Sequence, residues 1–187
     1  MNGLTALAEQ YGNPLGGDFR LVIIPTVAPY LLPKILGPIK KAFPDLRLQL
    51  TEAQTSQVTA MLKQGSLDAV LLALPLGEEN IHELELFKEP FLFAVSKRHP
   101  KARQASVSLA DLENEEVLLL EDGHCLRDQV LEVCNAHHAV ENTNFRATSL
   151  ETLRQMVAAN AGVTLMPKLA VQNNTGPVRY WPVHRLN

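Results

Sequence analysis

Between Phe19 and Leu74 the hydrophobic pattern changes period repeatedly, and this alternation limits the folds open to the chain. Phe19 to Ile24, FRLVII, is the apolar, β-branched run of a buried strand. From about Tyr30 to Phe43 the residues Leu32, Ile35, Leu36 and Ile39 recur at helical spacing, and Pro44 stops the helix. Leu46 to Glu52, LRLQLTE, alternates as a second strand. Gln57 to Gln64 reads as a short helix closed by Gly65, and Leu67 to Leu74 as a third, apolar strand. Strand, helix, strand, helix, strand requires crossover connections, which are right-handed in nearly every case, so the expectation is a parallel sheet.

The second half repeats the mixture with shorter elements. Phe87 to Val95 is a strand in which Pro90 marks an edge or a bend. Leu109 and Ala110 open a short helix. Val117 to Leu120 is a strand ending at the acidic pair Glu121 and Asp122, and Gly123 to Asn135 is a helix. Thr148 and Glu151 stand at capping-box spacing before Leu150, Leu153, Met156 and Val157, a helix expected to end at Ala161 and Gly162. Val163 to Met166 is a strand stopped by Pro167, and Val178 to Val183 one more.

Two α/β blocks result, 18–88 and 89–187. They follow a segment, 1–17, that reads as the end of a linker helix, LTALAEQYG, and a linker, NPLGG. The layout is that of a two-lobed ligand receptor of the periplasmic-binding-protein type, with its cleft at the carboxyl ends of the strands. Such folds return to the first lobe before finishing. No return strand is visible before Asn187, so the chain reads as truncated at both ends.

Composition narrows the function. Net charge is −3, and the only adjacent basic pairs are Lys40–Lys41 and Lys97–Arg98, too few to neutralise a run of phosphates. No apolar run approaches the ~20 residues of a membrane helix. Met1 to Gln10 lacks the basic start and apolar core of a signal peptide, so a cytoplasmic location without membrane contact is expected. The two cysteines are too few to staple a fold of 187 residues. No Ser/His/Asp arrangement, phosphate loop or paired carboxylate site points to an enzyme. No cofactor or metal is expected.

Those cysteines, Cys125 and Cys134, lie in CLRDQVLEVC. Nine residues of continuous helix rise about 13.5 Å, whereas a disulfide needs Cα atoms within about 7 Å. One helix and one disulfide therefore exclude each other, and oxidation could choose between two backbones. Gly123 and His124 place Cys125 at a helix start, where free N–H groups and the dipole favour a thiolate. His124 can add hydrogen bonds or, when protonated, charge. Arg127 follows two residues on. Cys134 lies among Val130, Leu131 and Val133, an apolar setting for an inert thiol. The pair has the character of an attacking and a resolving cysteine. Two packed small hydrophobes explain the same residues about as well. A metal site with His137 and His138 has a spacing that matches no standard zinc pattern.

EDGHCLRDQ, Glu121 to Gln129, resembles the segment around the peroxide-reactive cysteine of the OxyR family of LysR-type transcription factors. So do FRATSLETLRQMVAA (Phe145 to Ala159), IPTVAPYLLP (Ile24 to Pro33) and EAQT (Glu52 to Thr55). GSLDAVLLALP (Gly65 to Pro75) and AGVTLMP (Ala161 to Pro167) resemble LysR-type effector domains more broadly.

The resemblance implies a type II periplasmic-binding-protein-like regulatory domain in which hydrogen peroxide oxidises Cys125 and Cys134 closes a disulfide. It implies that Thr26, Thr55 and His124 hold peroxide beside Cys125. Without it, Thr26 and Thr55 read as strand-end caps. Gly123, Arg127 and Asp128 become supporting residues, the last two a local ion pair. The implied partners are a second copy (homodimer or homotetramer), DNA through a winged helix-turn-helix domain absent here, and a glutaredoxin- or thioredoxin-type reductant. A basic stretch of the family lies beyond Asn187, and 132–144 diverges most. Two other readings remain: a LysR-type small-molecule effector domain with incidental cysteines, and a thiol peroxidase.

Overall fold

In the computed structural model, residues 16–171 and 176–183 are described, and the chain divides into two compact units between Leu72 and Ala73. The expected linker helix and most of its linker, up to Leu15, lie outside the described residues. The division drawn from the sequence, at Lys88, differs from this one by 73–88, which carries no helix or strand.

The first unit contains β1 (Gly17–Ile23), α1 (Ala28–Ala42), β2 (Leu46–Glu52), α2 (Thr55–Lys63) and β3 (Ala69–Leu71). Its sheet has the order β2-β1-β3 with both pairings parallel, Phe19 opposite Leu48 and Val22 opposite Val70. β1 is central and its end is buried at Val22 and Ile23. Val22 packs with Val58 and Leu67, and Met61, Leu62 and Val70 close around them. α1 begins two residues before the expected start. It keeps Pro33 and Pro38 on its exposed side while Leu32, Ile35 and Ile39 are half-buried. The third strand is shorter than its apolar run suggested. At its entry the Asp68 carboxylate takes the backbone N–H and the guanidinium of Arg20, and after Leu71 the chain leaves the sheet.

The second unit contains β4 (Phe91–Ser96), β5 (Glu116–Leu120), α3 (Cys125–Ala136), β6 (Val140–Ala147), α4 (Leu150–Ala158), β7 (Thr164–Pro167), a one-turn α5 (Lys168–Val171) and β8 (Val178–Pro182). Short 3-10 turns occupy Pro100–Arg103 and Leu109–Leu112. β4 pairs antiparallel with both β7 and β8, Phe93 facing Leu165 and Trp181, whereas β5 and β6 run parallel. A parallel bridge between Val117 and Val163 joins the two sheets edge to edge. Gly162 permits that approach: its φ is +156°, and a Cβ there would stand 2.7 Å from the Glu116 carbonyl oxygen.

Three expectations need correction. β4 begins at Phe91, not Phe87, because Pro90 has no N–H for a ladder and the Glu89 carboxylate instead takes the backbone N–H of Leu169. The cap of α4 is Ser149, whose hydroxyl accepts the Thr152 N–H at 3.2 Å, not Thr148. α4 stops at Ala158, where the Ser96 hydroxyl and the Arg98 guanidinium occupy its terminal carbonyls. β6 was not expected at all. Its sequence, VENTNFRA, is polar because only Ala147 is buried: Glu141 and Arg146 enter an ion-pair cluster, and Val140, Thr143 and Asn144 are exposed.

Candidate functional site

β5 is buried from Val117 to Leu120, so the chain leaves it at a fixed point beneath the surface. Gly123 then turns with φ +95°, a conformation that costs glycine little. His124 is the extended N-cap residue of α3, and Cys125 is the first helical residue, half-buried. The His124 side chain makes no capping hydrogen bond.

His124 is buried. Burial lowers its pKa, and Glu121, with Nε2 and Oε1 4.0 Å apart, opposes that only in part. Its imidazole is thus neutral near pH 7. The protonated form considered from the sequence is replaced by a neutral ring that can only hydrogen-bond.

α3 runs unbroken from Cys125 to Ala136, with both thiols free. Its buried face consists of Leu126, Arg127, Val130 and Cys134. Cys134 is 2% exposed, and its pKa is pushed up to about 11, chiefly by burial and secondarily by the Glu141 carboxylate. The two cysteines thus lie at different depths on one helix.

Arg127 is buried too, and every arm of its guanidinium is used. Nε meets Asp122 at 2.8 Å, Nη1 the Leu120 carbonyl at 3.1 Å and Nη2 Glu141 at 2.9 Å. Arg146 closes the cluster on the same two carboxylates, each at 3.3 Å. The ion pair expected with Asp128 is not the one formed. Asp128 is exposed, one residue round the helix, while Arg127 faces the sheet. Sequence reasoning missed Glu141, Arg146 and the role of Asp122. A signal was available: Arg127 lies seven residues before Cys134, on the same helix face, and a buried arginine requires carboxylates.

Thr26 and Thr55 belong to the first unit. Thr26 is buried in the turn after β1. Thr55 is the first residue of α2, capped by Gln54. The Thr55 hydroxyl is buried without a hydrogen-bond partner, so it does not cap the helix. His137 and His138 lie at and beyond the end of α3. Among the described residues no group of three or more His, Cys, Asp or Glu side chains is placed to hold a metal, and no helix is long and apolar enough to cross a membrane.

The chain belongs to the LysR substrate binding domain family, which matches residues 12–186. Over 168 residues it is 51% identical to the DNA-binding transcriptional dual regulator OxyR of Escherichia coli K12, covering 90% of this chain and 55% of that protein. It is 48% identical over 170 residues to the hydrogen peroxide-inducible genes activator of Haemophilus influenzae, covering 91% and 56%. The chain thus spans about half the length of these curated relatives. OxyR crystal structures superpose on 92% of it with a TM-score of 0.82, in the reduced form at 47% identity and the oxidized form at 49%, each covered to 82%.

Proposed function

We propose that this domain is the peroxide-sensing part of a LysR-type transcription regulator, and that Cys125 and Cys134 form its switch. In the first step the Cys125 thiolate attacks one peroxide oxygen. The S–O bond forms, the O–O bond breaks and hydroxide leaves, so sulfur is oxidised to sulfenic acid and peroxide is reduced. In the second step Cys134, once deprotonated, attacks that sulfur. The S–S bond forms and the sulfenic oxygen leaves as water. A neutral His124 serves the first step as a hydrogen-bond donor. Thr26 and Thr55 are assigned to peroxide on the strength of the resemblance, and the unpartnered hydroxyl of Thr55 supports a polar ligand there.

The observation that carries this reading is the unbroken α3. With nine residues of helix between them, the sulfurs can meet only if the helix opens, so chemistry at one atom becomes a change of backbone. Closing a loop of this size contributes roughly 3 kcal/mol, and a near-complete change of population needs about 5.5 kcal/mol. The thiol form must therefore already be close to balance. In the whole protein the change would act through a homodimer or homotetramer on winged helix-turn-helix domains bound to DNA, and a thiol reductant would reset it.

Peroxide titration with mass-spectrometric mapping of cysteines, in wild type and Cys125→Ser, tests the reading. One equivalent of peroxide is expected to give a Cys125–Cys134 bond, absent from the variant. Free thiols after excess peroxide would favour an effector-binding domain, and continued peroxide consumption with a thiol reductant a peroxidase.

A further inference from the structure

Building on the disulfide reading, we propose that Arg146 is a positioning residue of the switch: it takes over the Glu141 carboxylate when α3 opens and Arg127 is withdrawn. Both arginines reach the same two carboxylates. Arg127 holds Asp122 at 2.8 Å and Glu141 at 2.9 Å, and Arg146 holds each at 3.3 Å. On Asp122 they use different oxygens, Oδ1 and Oδ2, but on Glu141 both use Oε1. The Arg127 side chain is 6% exposed and the Arg146 side chain 41%. The buried cation is thus the closer partner of both carboxylates.

The two arginines differ in what carries them. Arg127 belongs to α3, the element that must open before the sulfurs can meet. Arg146 belongs to β6, as Glu141 does. In a regular strand, residues five apart point to opposite faces and stand about 16 Å apart. β6 departs from that pattern between these two. Glu141 is opposite Val117 and Arg146 opposite Leu119, so 142–145 bulge against Leu118 alone. The bulge is pinned by its own bonds: the Asn142 amide donates to the Glu116 carboxylate at 3.1 Å, and the Asn144 N–H donates to the Asn142 side-chain oxygen at 3.0 Å. It brings Arg146 back onto Glu141 without help from α3, so the pair survives the departure of the helix.

While α3 is intact, Arg127 covers Glu141, and a half-exposed second cation adds little. Once Arg127 leaves, Arg146 is the cation still paired with that carboxylate among the described residues. The Glu141 side chain is only 20% exposed, and a part-buried carboxylate without a partner is costly. Arg146 therefore stabilises the opened form more than the closed one, and it shifts the balance toward the disulfide.

The test equilibrates the protein with glutathione mixtures and counts the Cys125–Cys134 disulfide by mass spectrometry. Arg146→Gln is expected to lower the ratio of disulfide to dithiol about ten-fold, which moves the reduction potential roughly 30 mV in the positive direction. Arg146→Lys, which keeps the charge, is expected to recover most of the loss. If Arg146 merely held α3 shut, its removal would raise the ratio instead. In a Glu141→Gln background the same substitution is expected to have a much smaller effect, because the carboxylate it covers is gone. A ratio that rises or stays unchanged in Arg146→Gln, or that falls equally in both backgrounds, overturns the proposal. NMR of the guanidinium groups needs no variant: on oxidation, hydrogen exchange at the Arg146 Nε–H is expected to slow several-fold and at the Arg127 Nε–H to quicken, and faster exchange at Arg146 would equally refute it. A wild type that forms no disulfide would refute the switch and this proposal together. A wild type that forms it, with an unmoved ratio in Arg146→Gln, refutes the role of Arg146 alone.

Discussion

Val130→Ala isolates the contribution of α3 to the redox balance. Val130 is 2% exposed and, with Leu126, Leu153 and Leu165, lines a cavity of about 10 Å3 beneath the helix. The substitution removes two buried methyl groups, about 1.6 kcal/mol of transfer free energy, and enlarges a void that already exists, for a total of about 2 kcal/mol. If the disulfide form has given up this helix, the loss falls mainly on the thiol form. The ratio of disulfide to dithiol then rises about 30-fold at a fixed thiol buffer, and the reduction potential becomes more negative by about 40 mV. Equilibration with glutathione mixtures, quenched and counted by mass spectrometry, measures it. Val58→Ala is the control: Val58 is fully buried in the first unit, on α2. Both variants should melt about 4–8 °C lower, but only Val130→Ala should change the potential. An unchanged or more positive potential in Val130→Ala, despite the lower melting temperature, would refute the claim that α3 is the element given up on oxidation.

Two further predictions follow from local contacts. His124 has a folded-state pKa below its unfolded value, so below about pH 6.5 the unfolded chain takes up a proton that the folded one resists, and stability falls as pH drops toward 5. Urea midpoints should decline less over that interval in His124→Gln, and parallel declines would refute the assignment. Ser149→Ala should cost about 1 kcal/mol of stability through the lost cap of α4, whereas Thr148→Ala should cost much less; the reverse order in denaturant titrations would restore the sequence-based cap.

The βαβαβ order of the first unit was legible because its strands and helices differ sharply in period, as in FRLVII against Leu32, Ile35 and Ile39. The helix over both cysteines was equally plain. Leu126, Val130 and Cys134 recur at helical spacing, and only Gly123 interrupts the approach. β6 was hidden because it is largely exposed and its Glu141 answers to Arg127 and not to an apolar core, so neither period appears in VENTNFRA. For the same reason the partner of Arg127 was misjudged. Asp128 is adjacent in sequence but points to solvent, while Asp122 and Glu141 arrive through the turn and the strand. The capping residue of α4 was off by one position because Thr148 and Ser149 both offer a hydroxyl, and backbone geometry alone chooses between them.

The strand order has a mechanical consequence. α3 rests on β5 and β6, the outer pair, while β4, β7 and β8 form the body on the far side of the Val117–Val163 bridge. The buried face of α3 also meets Leu153 of α4 and Leu165 of β7, so unwinding the helix leaves every strand pairing intact but uncovers that part of the core. Amide exchange should mirror this, with α3 and β6 opening in small, frequent excursions while Phe93 and Leu165 exchange only when the whole unit unfolds.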